Sequence, residues 1–98
     1  MGTMFLVTLR FGANKAAAPQ FMDAHNAWLK RGFDDGVFLL AGSLKPAGGG
    51  GIVAAGIARA DLEARIAEDP FVAEKIVVPD FVEIEPGRVD PRLAFLKA

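Results

Sequence analysis

The sequence predicts an α+β fold: a four-stranded antiparallel sheet with two helices on one face, in the order β-α-β-β-α-β. Three observations carry it. Residues Met4–Phe11 alternate in hydropathy at the period of a strand. Phe21–Leu29 repeats its apolar residues at the period of a helix. Two short apolar runs, further on, flank a glycine-rich turn as the arms of a hairpin do.

In the first strand Phe5, Val7, Leu9 and Phe11 point one way, and Leu6, Thr8 and Arg10 the other. Gly12-Ala13-Asn14 breaks it. Lys15–Gln20 leads into the first helix, where Pro19 suits the opening turn. Phe21, Ala24, Trp28 and Leu29 form one apolar arc, and His25, the single histidine, falls inside it. Met22 lies at the edge of the arc, with Asp23, Asn26 and Lys30 on the far side. The helix runs to about Arg31 or Phe33, and Gly32 and the Asp34-Asp35-Gly36 cluster end it.

Val37–Ser43 is the second strand, apolar on both faces. Leu44–Gly51 is the turn, with Pro46 and the glycine run Gly48–Gly51. Ile52–Ala58 is the third strand, again apolar on both faces. Asp61–Glu68 is a shorter helix with Leu62 and Ile66 facing in. Asp69-Pro70 stops it, because a residue before proline avoids the helical region. Asp69 can then cap a further turn, Pro70–Lys75. The last strand lies in Val77–Glu85, centred on Phe81–Glu85, and the tail from about 87 to 98 carries Val89, Leu93, Phe95 and Leu96, which call for a surface to cover. This is the ferredoxin-like arrangement. Two helices cover only one face of such a sheet, yet the hairpin strands offer apolar residues to both. A homodimer stacked through its sheet faces is the expected solution.

The chain has 98 residues, which predicts a single domain, 1–98. A net charge of −1 with scattered basic residues gives no case for nucleic acid. The absence of cysteine excludes disulfides, thiolate catalysis and cysteine-bound metal. Met1-Gly2-Thr3-Met4 lacks the basic start and apolar core of a signal peptide. No apolar run reaches the ~18–20 residues that span a bilayer. A cytoplasmic protein with no membrane partner is the expectation. One histidine and no clustered carboxylates at ligand spacing predict no metal, and no cofactor is expected.

His25 exchanges a proton near neutral pH in its ordinary state, so it is the first candidate for chemistry. Flanked by Phe21 and Trp28, it would sit in a partly apolar pocket suited to general base work. The alternative is a core histidine bonded to a carbonyl. Asp69 is the second candidate: a carboxylate that accepts from an imidazole N–H fixes the tautomer and raises the basicity. A plain helix cap is the commoner role of an aspartate before proline, and its lone pairs allow both roles. Ser43, after Gly42 at a strand end, could bind a substrate oxygen, with Gly42 admitting a ligand close to the backbone. The glycine run is no phosphate loop, because it leads into a strand and lacks Gly-Lys-Ser/Thr. Arg10 is suited to pairing with an acid across strands.

Ala24-His25-Asn26-Ala27-Trp28-Leu29, the strand ending Leu-Leu-Ala-Gly-Ser at Ser43, and Asp69-Pro70-Phe71 together resemble the YCII-related proteins of the dimeric α/β-barrel superfamily. The resemblance covers about Phe5 to Pro86. It implies a ferredoxin-like subunit, a dimer, and an active site built on a histidine–aspartate pair. By motif these positions are His25 and Asp69, with Ser43 as a ligand contact. Gly42, Trp28 and Phe21 are expected beside the ligand. The implied role is a small-molecule enzyme doing lyase- or isomerase-type acid/base chemistry; one branch of the family is associated with dehydrochlorination of a chlorinated hydroxyquinol. The alternative is a non-catalytic dimer that binds a small metabolite. Members often carry an arginine about one turn before the histidine, where this chain has Gln20, Phe21 and Met22. Glu74-Lys75 also departs from the usual small, glycine-bearing segment. An apolar pocket ill-suited to anions follows.

Overall fold

The computed structural model describes residues 2–97. Its elements are β1 (Met4–Phe11), α1 (Ala18–Asp34), β2 (Phe38–Ser43), β3 (Gly50–Ala55), α2 (Arg59–Ala67), α3 (Pro70–Ala73) and β4 (Val77–Ile84). The sheet order is β2-β3-β1-β4, every pair antiparallel, as the ferredoxin-like reading requires. Alternation in β1 sends Phe5, Val7 and Leu9 into the core with Trp28, Phe38, Ile52, Ala54, Leu62, Ile66 and Ile76.

Several boundaries differ from the sequence reading. A short 3-10 turn, Lys15–Ala17, precedes α1, which starts at Ala18 and places Pro19 in its first turn. Gly32 does not end α1. It is buried in the last turn, and a Cβ there would lie 2.1 Å from the Phe38 ring, so glycine lets the helix settle onto β2. The stop falls at Gly36, at φ +74°, whose N–H donates to the Phe33 carbonyl. β3 begins earlier than expected, because Gly50 and Gly51 pair with Ser43 and Gly42 on one side and with Leu9 and Thr8 on the other. It ends at Ala55, where Gly56 turns at φ +71°. β4 begins at Val77 rather than Phe81, since β1 extends to Phe11 and supplies a partner there.

The outer face of the sheet, opposite the helices, keeps Leu6, Leu40, Val78, Val82 and Ile84 exposed. Arg10 pairs with Asp80 on that face, beside the Thr8↔Asp80 ladder position. The tail forms a second 3-10 segment, Pro91–Lys97; Leu96 is buried while Leu93 and Phe95 stay exposed. Docking of the tail is therefore partial. Its last residue, Ala98, and Met1 lie outside the described residues. Among the described residues, no helix is long and apolar enough to cross a membrane.

Candidate functional site

The site forms where α1 passes the junction of α2 and α3. The α2 helix closes with the Asp69 N–H donating to the Ile66 carbonyl at 3.1 Å. Asp69 then turns extended, at φ −61° and ψ 124°, and caps α3. Its Oδ1 accepts the Phe71 N–H at 2.9 Å, the cap the Asp-Pro pattern predicts. The same Oδ1 lies 2.8 Å from Nδ1 of His25, and so joins two helices.

Asp69 is fully buried, and the His25 side chain is 13% exposed. An ionised carboxylate only accepts, so Nδ1 carries the hydrogen and donates it. In the neutral ring Nε2 is left with a free lone pair. The Phe71 ring lies flat on the imidazole, with centroids 4.0 Å apart and planes 4° apart. His25 is thus held at its Nδ1 edge by a charge-assisted hydrogen bond and across its face by an aromatic ring. The other carboxylate oxygen, Asp69 Oδ2, is buried without a hydrogen-bond partner among the described residues.

His25 and Phe71 line a cavity of about 310 Å³, bounded by the ends of β1, β2 and β4, by Gly49–Gly51, and by Met22, Asn26 and Leu29 of α1. Ser43 and Gly42 line the same cavity. Ser43 stands opposite Gly50 in the ladder, on the inward side shared with Leu9. The glycine run narrows the space between strands: a Cβ on Gly49, at φ +86°, would lie 2.3 Å from the Leu9 carbonyl oxygen. Among the described residues, no cluster of three His, Asp or Glu side chains could hold a metal ion.

Two expected neighbours of the ligand stand elsewhere. Trp28 is 1% exposed and does not line the cavity. Its ring sits 5.9 Å from His25 and edge-on to Phe38, and Nε1 donates to the Arg65 carbonyl at 3.0 Å. An indole on that arc gains most by full burial with its N–H paired, so it anchors α1 to α2 instead. Phe21 packs partly buried against the core, also off the cavity. Phe11, Met22, Asn26 and Phe71 line it, though the sequence reading gave none of them a site role. Met22 lies one turn before His25, a spacing that points to it. The cap places the Phe71 N–H on Asp69, but nothing in the sequence fixes its ring on His25.

A ferredoxin-like α+β fold with a ligand-sized cavity is what this structure defines. No family model matches the chain, and no curated protein matches it in sequence. Among solved structures it is similar to 5-chloro-2-hydroxyhydroquinone dehydrochlorinase (TftG) from Burkholderia phenoliruptrix AC1100, in complex with 2,5-dihydroxybenzoquinone. That match has 13% identity and a TM-score of 0.68 over 91% of this chain and 97% of that one. It is also similar to MtbAldR, at 10% identity and a TM-score of 0.61, over 93% of this chain and 58% of that one. At these identities the likeness is one of fold.

Proposed function

We propose that this chain is a YCII-related small-molecule enzyme in which His25 moves a proton and Asp69 orients it. The observation that carries this is the 2.8 Å contact between His25 Nδ1 and Asp69 Oδ1, on a histidine that lines an open cavity. Nε2 takes a proton from a bound ring compound. The electron pair left behind forms a π bond. Either a leaving group departs with its own pair, as in a lyase, or the proton returns at another carbon, as in an isomerase. The imidazolium formed is stabilised by the Asp69 carboxylate. Ser43 and Gly42 contact the ligand from the far wall, and no cofactor takes part in the step.

The enzyme acts as a homodimer stacked through its outer sheet faces. Leu6, Leu40, Val82 and Ile84 supply the apolar surface for that contact. A stable monomer at micromolar concentration in sedimentation would contradict this part of the proposal.

The test is incubation of hydroxylated and enolisable ring compounds, 5-chloro-2-hydroxyhydroquinone among them, with the protein in deuterium oxide. Deuterium exchange or chloride release that disappears in His25→Ala, with the fold retained, supports the proposal. A compound that binds tightly and returns unchanged after long incubation would instead assign a binding module.

A further inference from the structure

The cavity has a gradient of chemistry from its inner end to its mouth. At the more buried end is His25, its side chain 13% exposed, while Ser43 lines the cavity from an exposed strand end. At the mouth are Phe11 and Met22, each 42% exposed although large and apolar. None of the residues that line the cavity is Asp, Glu, Lys or Arg. Lys15 sits over the Phe11 ring at 4.5 Å but does not line the cavity, and Asp69 lies behind His25 rather than in the wall. A charged group at the His25 end would lose its hydration without gaining a counter-charge from the wall. The volume, about 310 Å³, is at the lower end for ligand pockets and fits one ring with a short substituent.

We propose that the cavity takes an uncharged aromatic ring bearing a hydroxyl at one end and a short apolar substituent at the other. The hydroxyl donates to His25 Nε2, a placement that rests on the acid/base role proposed above. The substituent lies between Phe11 and Met22, which explains why two large apolar side chains remain exposed at the mouth. The glycines of β2 and β3 offer a wall of backbone against which a flat ring can lie.

Calorimetric titration of the whole protein with para-ethylphenol and its analogues tests this. Saturable binding of para-ethylphenol is expected, about tenfold tighter than phenol, because the ethyl group buries two carbons. The cation tyramine, whose ammonium would lie at the mouth near Lys15, is expected to bind at least about tenfold more weakly than para-ethylphenol. Met22→Ser, on an exposed helical position, is expected to weaken para-ethylphenol severalfold and leave phenol unchanged. No saturable binding of para-ethylphenol, equal affinity for phenol, or equal affinity for tyramine would overturn the ligand class and leave the acid/base role untouched. Equal affinity for para-ethylphenol and its methyl ether would overturn the placement of the hydroxyl at His25 and count against the acid/base role itself.

Discussion

Oδ1 of Asp69 accepts twice, from Nδ1 of His25 at 2.8 Å and from the Phe71 N–H at 2.9 Å. One atom therefore caps a helix and aims an imidazole. Asp69→Asn keeps a carbonyl oxygen that can accept both bonds but removes the charge. It is expected to fold within about 1 kcal/mol of the parent and to lose about 10²-fold or more in turnover. Asp69→Ala loses the cap and leaves Nδ1 unpaired, at a cost of about 3 kcal/mol. Urea denaturation beside the turnover assay separates the two variants.

Trp28 gives the opposite signature. Its N–H bond to the Arg65 carbonyl and its full burial are structural, and it does not line the cavity. Trp28→Phe loses that bond, although the Glu68 N–H still donates to the same carbonyl, and it opens a void, for an expected loss of about 2 kcal/mol. Ligand affinity, measured well below the melting temperature, is expected to change less than about twofold.

The glycines divide in the same way. Gly49→Ala would drive a Cβ toward the Leu9 carbonyl from a left-handed backbone position, so a loss exceeding about 1 kcal/mol is expected. Gly42→Ala meets nothing within 4 Å and is expected to leave stability within about 0.5 kcal/mol. Thermal melts of the two variants check both.

Leu40→Glu places a charge on the outer sheet face, where Leu40 is 58% exposed in the single chain. Sedimentation is expected to show a weakened dimer, at least about tenfold in the dissociation constant, from a chain that still folds. An unchanged dimer would contradict the sheet-to-sheet contact.

The tail is expected to respond to acid. Hydrogen bonds from Arg92 hold the Asp90 carboxyl below its ordinary value of 3.8. A lowered folded-state value means that the contribution is present above 3.8 and is lost as pH falls through the lower value. Amide exchange in Pro91–Lys97 is expected to quicken there.

The fold class was legible because the elements follow one another as β-α-β-β-α-β, the succession of the ferredoxin-like arrangement. Asp69 as a cap was legible from Asp-Pro alone. The pairing of His25 with Asp69 was legible only as an alternative to the cap, because the two residues lie far apart in sequence, and the resemblance is what favoured it. Trp28 was placed beside the ligand because it shares an arc with His25, but periodicity cannot say which members of an arc meet the core and which meet a cavity. Gly50 and Gly51 read as turn residues by their own preference. The ladder with β1 and β2 overrides that preference.

His25 is the only histidine, so its ring nitrogens give an unambiguous nitrogen-15 signal. Measured at a pH that keeps the ring neutral, the spectrum is expected to show hydrogen on Nδ1, a bare Nε2, and loss of the protected Nδ1–H in Asp69→Ala. A ring protonated at Nε2 instead, or one indifferent to Asp69, would contradict a histidine aimed by Asp69 to take a proton from the cavity.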